Sequence, residues 1–304
     1  MRVLKEKIKK FFLPPSSSFL ALDIGSEYIK MLEARKERGE WCITNWGIKK
    51  RKADPKEAIK ELLQNTDVKR VNLSLAGEEI IIRYIELPVM SKEDLEKSFQ
   101  FEADKYLPFK IEEVFFDYQV LSSDNTKMKV LLCAGKKEFI EERIGLAEQI
   151  GLEVCLLDID SLCLSNAFLF NYPEEKGSLC LMNIGARRAN LNIVDKGTSC
   201  LARDIQIDFS IKGRGADDLV DELGEEILRC FDFYESEYEQ GVEKILLSGG
   251  RARETKEALE KKTGIKTELW NPFQAFQRMD IEGWEELKEK RELFAIAAGL
   301  LIRC

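Results

Sequence analysis

Apolar and polar positions alternate, or run unbroken for a few residues, through most of the first fifty positions of the chain. "FLALDI" (19–24) is an apolar run closed by an acid, "YIKMLEA" and "WCITNWGI" follow as extended segments, and the charged stretch "RKERGE" joins those two. Short runs of this kind bounded by turn residues predict three strands over 19–51. "DPKEAIKELLQNT" then changes to the period of a helix, with Asp54 as its N-cap and Pro55 at its first position. Between 70 and 135 the rhythm becomes strand, helix, strand, strand. That helix starts at Ser91 with Asp94 three residues on, a weak capping box; Leu95, Phe99, Ala103 and Tyr106 share one face, and Pro108 stops it.

The opening pattern then returns. "SLCLMNIGARRAN" (178–190) has the shape of "FLALDIGSEYIK" (19–30), and "DKG" (195–197) supplies the next tight turn. A shift of 160 positions lays Asp23-Ile24-Gly25-Ser26 on Asn183-Ile184-Gly185-Ala186. Only Ile-Gly is identical, but strand, turn and strand recur around it. Residues 217–240 form a long helix with Leu219, Leu223, Ile227, Phe231, Tyr234 and Tyr238 along one side, and "EKILLSGG", "ETKEALEKKTG", "KTELW" and "LFAIAAGLL" complete a second α/β unit. The expectation is an internal duplication: a first domain over 19–160 carrying an insertion at about 70–135, and a second over 161–304.

Composition narrows the function classes. The 304 residues are 44% hydrophobic and 34% charged, as in a soluble globular protein, and no apolar stretch is long enough to span a bilayer. A formal charge of −8 speaks against a broad nucleic-acid footprint. Histidine is absent, which removes Ser-His and Cys-His catalysis and imidazole metal sites. The eight cysteines make no C-x-x-C pair and read as buried thiols. Residues 1–18 are the local exception. Five cations against one acid, with Leu4, Ile8, Phe11 and Phe12 on one helical face, read equally as a foot on an anionic membrane or as a solvated terminal helix.

The candidate chemistry lies at three turns. At Asp23-Ile24-Gly25-Ser26 a strand ends in an acid and then glycine. Glycine lets backbone N–H groups approach a phosphate, the carboxylate suits a hydrated Mg²⁺ bridging phosphate oxygens, and Lys30 on the outgoing strand can face the same charge. In the second turn Asn183 brings no charge to a metal, and Arg187 and Arg188 read as phosphate partners or as solvated turn residues. In "LLSGGRAR", Gly249 and Gly250 either let a ribose or adenine lie against the backbone or simply turn strand into helix. Asp158 and Asp160 follow a strand and are candidates to poise a water, though spacing does not single out a base.

Two glycine clamps on duplicated three-stranded units, with a GG turn, resemble the actin-like ATPase superfamily. The stretch "ELPVMSKEDLEKSFQFEADKYLPFKIEEVFFDYQVL", with Leu87-Pro88, Met90-Ser91, Glu102, Tyr106, Pro108-Phe109 and Asp117-Tyr118, is similar to the PilM family of type IV pilus assembly, as are "NPF" (271–273) and the ending "AIAAGLLIR". The resemblance implies duplicated actin-like (ribonuclease H-like) α/β domains with an inserted strand–helix–strand–strand subdomain. It implies ATP with Mg²⁺ between the halves: Asp23 (also the metal residue), Gly25 and Ser26 at the phosphates with Lys30, Gly185 on the opposite side, Gly249 and Gly250 at the adenosine. It also implies docking of the cytoplasmic N-terminal tail of a PilN-like inner-membrane protein, at the inner face of that membrane. Ile85, Tyr106, Leu107 and Phe109 are the residues expected near a peptide groove between the insertion and its parent domain. Asn183, and the absence of the family's Glu-x-x-Lys helix before the long helix, argue for a scaffold with a degenerate nucleotide site. The alternatives are an active ATPase and an FtsA-like filament-forming membrane anchor.

Overall fold

The computed structural model describes residues 18–209, 216–277 and 281–303. The basic segment expected to form an amphipathic helix over 1–18 lies outside the described residues but for Ser18, and so does the Lys212-Gly213-Arg214-Gly215 stretch that leads into the long helix.

The first unit of the duplication starts with β1 (Ser18–Ile24), β2 (Tyr28–Glu37) and β3 (Glu40–Lys50), each antiparallel to the next. Helix α1 (Pro55–Leu62) follows, with the Asp54 side chain accepting from the Lys56 N–H at 2.9 Å, as its position before Pro55 predicts. β4 (Arg70–Leu75) then returns parallel to β1, and much later β8 (Glu153–Ile159) completes a five-stranded sheet ordered β3-β2-β1-β4-β8. The second unit repeats this plan. β9 (Leu179–Ile184), β10 (Arg188–Asp195), β11 (Thr198–Gln206), β12 (Lys244–Ser248) and β13 (Thr267–Leu269) are ordered β11-β10-β9-β12-β13, with β9 antiparallel to β10 and parallel to β12.

Between β4 and β8 the chain builds a smaller unit of its own, spanning Leu75–Cys155. β5 (Ile80–Pro88), β6 (Val114–Ser123) and β7 (Lys127–Lys136) form a sheet ordered β5-β7-β6, and α2 (Lys92–Asp104) covers one face. The Ser91 hydroxyl oxygen accepts from the Asp94 N–H at 3.1 Å and donates to the Asp94 carboxylate at 2.6 Å. Leu95, Phe99 and Ala103 pack on Ile85, Leu87, Met128, Val130 and Leu132, and Phe99 stacks on Tyr118. This unit begins later and ends later than the 70–135 rhythm suggested. The reason is that β4 is claimed by the main sheet, while α3 (Lys137–Glu148) packs on β7.

The larger unit holds both repeated sheets around one shared core. Ala21, Leu32 and Ile43 from the first sheet and Leu179, Leu181 and Leu246 from the second meet α4 (Asp160–Asn171) and α8 (Ala295–Leu301). A Cβ on Gly299 would fall on the backbone of Cys163, so α4 and α8 touch main chain to main chain. The long helix α5 (Ala216–Tyr238) lays Leu219, Leu223, Ile227, Phe231 and Tyr234 on the second sheet, as their spacing predicts, and α6 (Ala252–Thr263) and α7 (Trp284–Glu289) follow before α8. "NPF" is an anchor for α4: Asn171 donates to Pro272 O at 2.9 Å and accepts from the Ala275 N–H at 2.8 Å. The described cysteines are all free thiols.

Candidate functional site

Strand register assembles the first turn. β1 and β2 pair so that Lys30 stands opposite Asp23, and Lys30 Nζ lies 2.9 Å from Asp23 Oδ2 with both groups largely buried. Gly25 turns the chain where a Cβ would lie 2.8 Å from the Tyr28 carbonyl oxygen, so the tightness of the turn itself demands glycine. Arg51 fastens the loop from outside, its side chain donating to Gly25 O at 3.2 Å and its backbone N–H to Glu27 O at 2.7 Å. Ser26 is exposed.

The second turn has the same backbone. A Cβ on Gly185 would sit 3.2 Å from Arg188 O, the counterpart of the Tyr28 carbonyl. Where the first turn pairs an acid with a lysine, this one pairs two amides: Asn183 Nδ2 donates to Asn190 Oδ1 at 3.3 Å, and Asn190 Nδ2 donates to Asp204 Oδ1 at 2.7 Å. Ser248 Oγ reaches Asn183 Oδ1 at 3.4 Å and Met182 O at 3.0 Å. Arg187 is exposed and 3.9 Å from Asp208.

The third turn joins the other two. Gly249 has φ +95°, and a Cβ there would overlap the backbone of Ile184, which lets Arg251 N–H donate to Ile184 O at 3.0 Å. Gly249 N–H donates to Glu292 O at 2.7 Å, and Arg253 Nη2 holds the Glu292 carboxylate at 3.1 Å. Gly250 has open space around it, with no atom nearer than 3.8 Å to an added Cβ. The Arg251 side chain then crosses to the first unit, placing Nη2 3.1 Å from Glu27 Oε2. One residue thus bonds the end of β9 by its main chain and the Asp23–Tyr28 turn by its guanidinium.

Asp160, at the start of α4, is the titratable group that this convergence perturbs most clearly. The residue keeps some exposed surface, but its Oδ1 is sealed from solvent with no hydrogen-bond partner. Its pKa is pushed up to about 7, first by burial and then by the Asp23 charge, with Asp204 adding and a hydrogen bond from Ser74 and the charge of Lys30 opposing. Asp158, two residues earlier, has a different environment. It lies in the interior, bonded to Ile159 N–H at 2.9 Å and paired with Arg303 Nε at 2.9 Å; burial still raises its pKa against the pull of Arg303. Asp158 ties the C-terminal segment down. Asp160 faces the acids of both repeated units.

Asp23, Gly25 and Lys30 therefore meet in one turn; Gly249 packs on Ile184 beside the second turn, and Arg251 reaches from there to Glu27 of the first. Arg251 and Glu27 escaped sequence reasoning because 224 positions separate them, and each alone reads as an ordinary turn charge. Asp160 was visible only as an acid following a strand. Four further residues fall in the smaller unit. Ile85 is 3% exposed and sits in its core, which leaves it no surface for a partner, and Leu107 is half-buried and packs against that core. Tyr106 is 38% exposed, and Phe109 is half-buried with Lys136 Nζ 4.5 Å above its ring. Phe101, which the periodicity left aside, is exposed on α2.

Lys30 and Arg251 bring two cations to these turns, and Gly250 leaves open space beside them, features that suit the phosphates of a nucleotide, while the Gly185, Gly249 and Arg251 amides are already bonded to carbonyls of the protein. Among the described residues no set of three or more His, Cys, Asp or Glu is arranged to hold a metal by itself. Mg²⁺ commonly takes one or two carboxylates and completes its shell with phosphate and water; the carboxylate of the first turn, Asp23, is here bound to Lys30.

A family model described as type IV pilus assembly protein PilM matches residues 21–208 and 218–304. Among solved structures, the chain is similar to one from a PilM-PilN type IV pilus biogenesis complex, with TM-score 0.81 and 22% identity over 95% of this chain and 99% of that one. It is similar to a Bacteroides thetaiotaomicron protein of actin-like ATPase fold and unknown function, with TM-score 0.55 and 12% identity over 95% and 97% of the two chains. It is also similar to the cytoplasmic domain of EpsL, an inner-membrane component of the type II secretion system of Vibrio cholerae, with TM-score 0.54 and 13% identity over 95% and 96%. The fold is that of the actin-like ATPases, as the duplicated turns led us to expect.

Proposed function

Because this chain belongs to the type IV pilus assembly protein PilM family, we propose that it works as an actin-like adaptor that docks the cytoplasmic N-terminal tail of a PilN-like inner-membrane protein. The observation that carries this reading is the span of the family match, which covers both repeated units and the inserted Leu75–Cys155 unit together. The inserted unit supports it with an exposed aromatic, Tyr106, beside half-buried Phe109, and with β5 and β6 as sheet edges that an extended peptide can join by main-chain hydrogen bonds. No helix among the described residues is long and apolar enough to cross a membrane, so on this reading the tail supplies the link to the bilayer.

The site at the three turns gives the adaptor a nucleotide. ATP would place its phosphates against the Asp23–Tyr28 turn, with Lys30 and Arg251 as cations and Gly249-Gly250 beside the nucleoside. When bound, Mg²⁺ would supply charge neutralisation across the phosphates. Asp23 stands to receive it, and Asp160, with its pKa pushed up to about 7, is half protonated near neutral pH and so can either donate or accept a proton there. Asn183 contributes an amide where the first turn has an acid. The reading is therefore a bound nucleotide that sets the shape of the adaptor, with slow hydrolysis or none.

A fluorescence-anisotropy titration with a synthetic PilN-type tail tests the docking role. We expect micromolar binding, weakened about tenfold or more by Tyr106→Ala with Phe109→Ala. No binding by the unaltered chain at high micromolar concentration overturns the reading.

A further inference from the structure

The guanidinium of Arg251 is only partly satisfied. Nη2 lies 3.1 Å from Glu27 Oε2, Nη1 lies 3.3 Å from Glu254 Oε1, and Nε is enclosed with no partner; the group sits 5.9 Å from the Phe209 ring. A guanidinium is built to grip a two-oxygen anion with adjacent N–H groups, and here two separate carboxylates share it while one donor goes unused. Its backbone is fixed by the bond from its N–H to Ile184 O, so the side chain is carried on a rigid turn. Of the other cations near these turns, Lys30 is committed to Asp23, Arg51 binds the carbonyl of Gly25, Arg187 lies 3.9 Å from Asp208 and Arg253 holds Glu292. Glu27 lies inside the first turn, two residues from Gly25, where an incoming phosphate would meet it.

We propose that Arg251 is the phosphate-gripping residue of the site and that the Glu27 carboxylate holds its place, so that a nucleoside polyphosphate enters by exchanging with Glu27. This rests on the nucleotide reading and adds to it a residue and a competitor. The exchange is physically cheap in one direction. Glu27 and Arg251 are each about a third or a quarter exposed, and a pair that open to solvent is held weakly. A polyphosphate brings several negative oxygens in fixed geometry to the Nη groups that Glu27 and Glu254 now share. The carboxylate nevertheless lowers the apparent affinity by the fraction of time it occupies Arg251, so removing its charge should tighten nucleotide binding. A pair that served only to hold the two units together would give the opposite result, since its loss would loosen the site.

The test is calorimetric titration of the full chain with Mg-ATP, and separately with inorganic tripolyphosphate, for the unaltered protein, Glu27→Gln, Arg251→Gln and Arg251→Lys. Thermal unfolding of each variant checks that it is folded. We expect Glu27→Gln to bind Mg-ATP about fivefold more tightly, Arg251→Gln to bind at least tenfold more weakly, and Arg251→Lys to recover part of the loss. Tripolyphosphate should follow the same order if phosphate alone is gripped. Should it not bind while Mg-ATP does, the grip on a bare polyphosphate is refuted. If the unaltered protein binds Mg-ATP and Glu27→Gln binds no better, Arg251 and Glu27 are structural and the assignment fails while the nucleotide reading stands. If neither protein nor any variant binds, the nucleotide reading fails and takes the assignment with it. Binding by Glu27→Gln alone would be the strongest support, because the native carboxylate would then be the only barrier.

Discussion

The two repeated turns have one backbone and opposite chemistry. In the first, a buried carboxylate and a buried ammonium meet at 2.9 Å; in the second, the matching pair is asparagine with asparagine at 3.3 Å. Both glycines face the carbonyl three residues on, at 2.8 and 3.2 Å from a hypothetical Cβ. The two turns share a shape and differ in charge. The requirement for glycine comes from the chain folding back on its own carbonyl, and so it survives without a ligand. The acid of the first turn has a different local partner, the Lys30 ammonium, and the second turn replaces that pair with two amides.

Making the first turn neutral is the severest way to break this contrast. Asp23→Asn leaves the Lys30 ammonium buried without its partner and should cost about 3–5 kcal/mol in urea unfolding. Adding Lys30→Asn, which copies the second turn into the first, should restore at least half of that. A cost below about 1 kcal/mol for the single change would show that the ion pair is not what holds the turn.

Asp160 gives the next largest effect, and its sign can be worked out. Its folded pKa of about 7 stands above the ordinary carboxylate value near 3.8, so the folded chain binds the extra proton between those limits. Its contribution is fully present below about pH 4, is lost as pH rises toward 7, and is flat beyond. Between pH 5 and pH 8 stability should fall by about 3 kcal/mol, and Asp160→Asn should flatten that slope. An unchanged slope in Asp160→Asn would place the titration elsewhere.

The reverse exchange has the smallest expected effect. Asn183→Asp puts an acceptor against Asn190 Oδ1, and turning the Asn190 amide to meet it would sacrifice the 2.7 Å bond to Asp204. We expect a loss of about 1–3 kcal/mol at pH 8, less at pH 5, and recovery on adding Asn190→Lys. If Asn183→Asp alone is neutral at both pH values, the amide pair is not a matched replacement for the ion pair.

Much of the architecture was legible from pattern. Asp54-Pro55 and Ser91 with Asp94 announced helix starts, the spacing of Leu219 to Tyr234 announced the face of α5, and Ile-Gly repeated in matching context announced the duplication. These are local properties of short windows. The site was legible only in pieces. Asp23 and Lys30 were readable because a single hairpin brings them together. Glu27 and Arg251 were not, since their contact depends on how two separately folded sheets meet. Asp160 was indistinguishable from Asp158 by position, and the two parted only when Arg303 proved to be the partner of one and Asp23 the neighbour of the other. Ile85 shows the converse error. An apolar residue in a family-like stretch was offered to a partner, whereas its alternation with Leu87 marks it as core.

The meeting of α4 and α8 at Gly299 sets how the larger unit can deform. Ordinary helix pairs slide over a layer of interdigitated side chains, but here bare main chain rests on bare main chain. A shift of one residue along either axis would bring Ala298 or Leu300 onto the Cys163 carbonyl, so translation is blocked in both directions. The two helices are therefore locked in register at this point, and any side chain placed at 299 would have to push them apart.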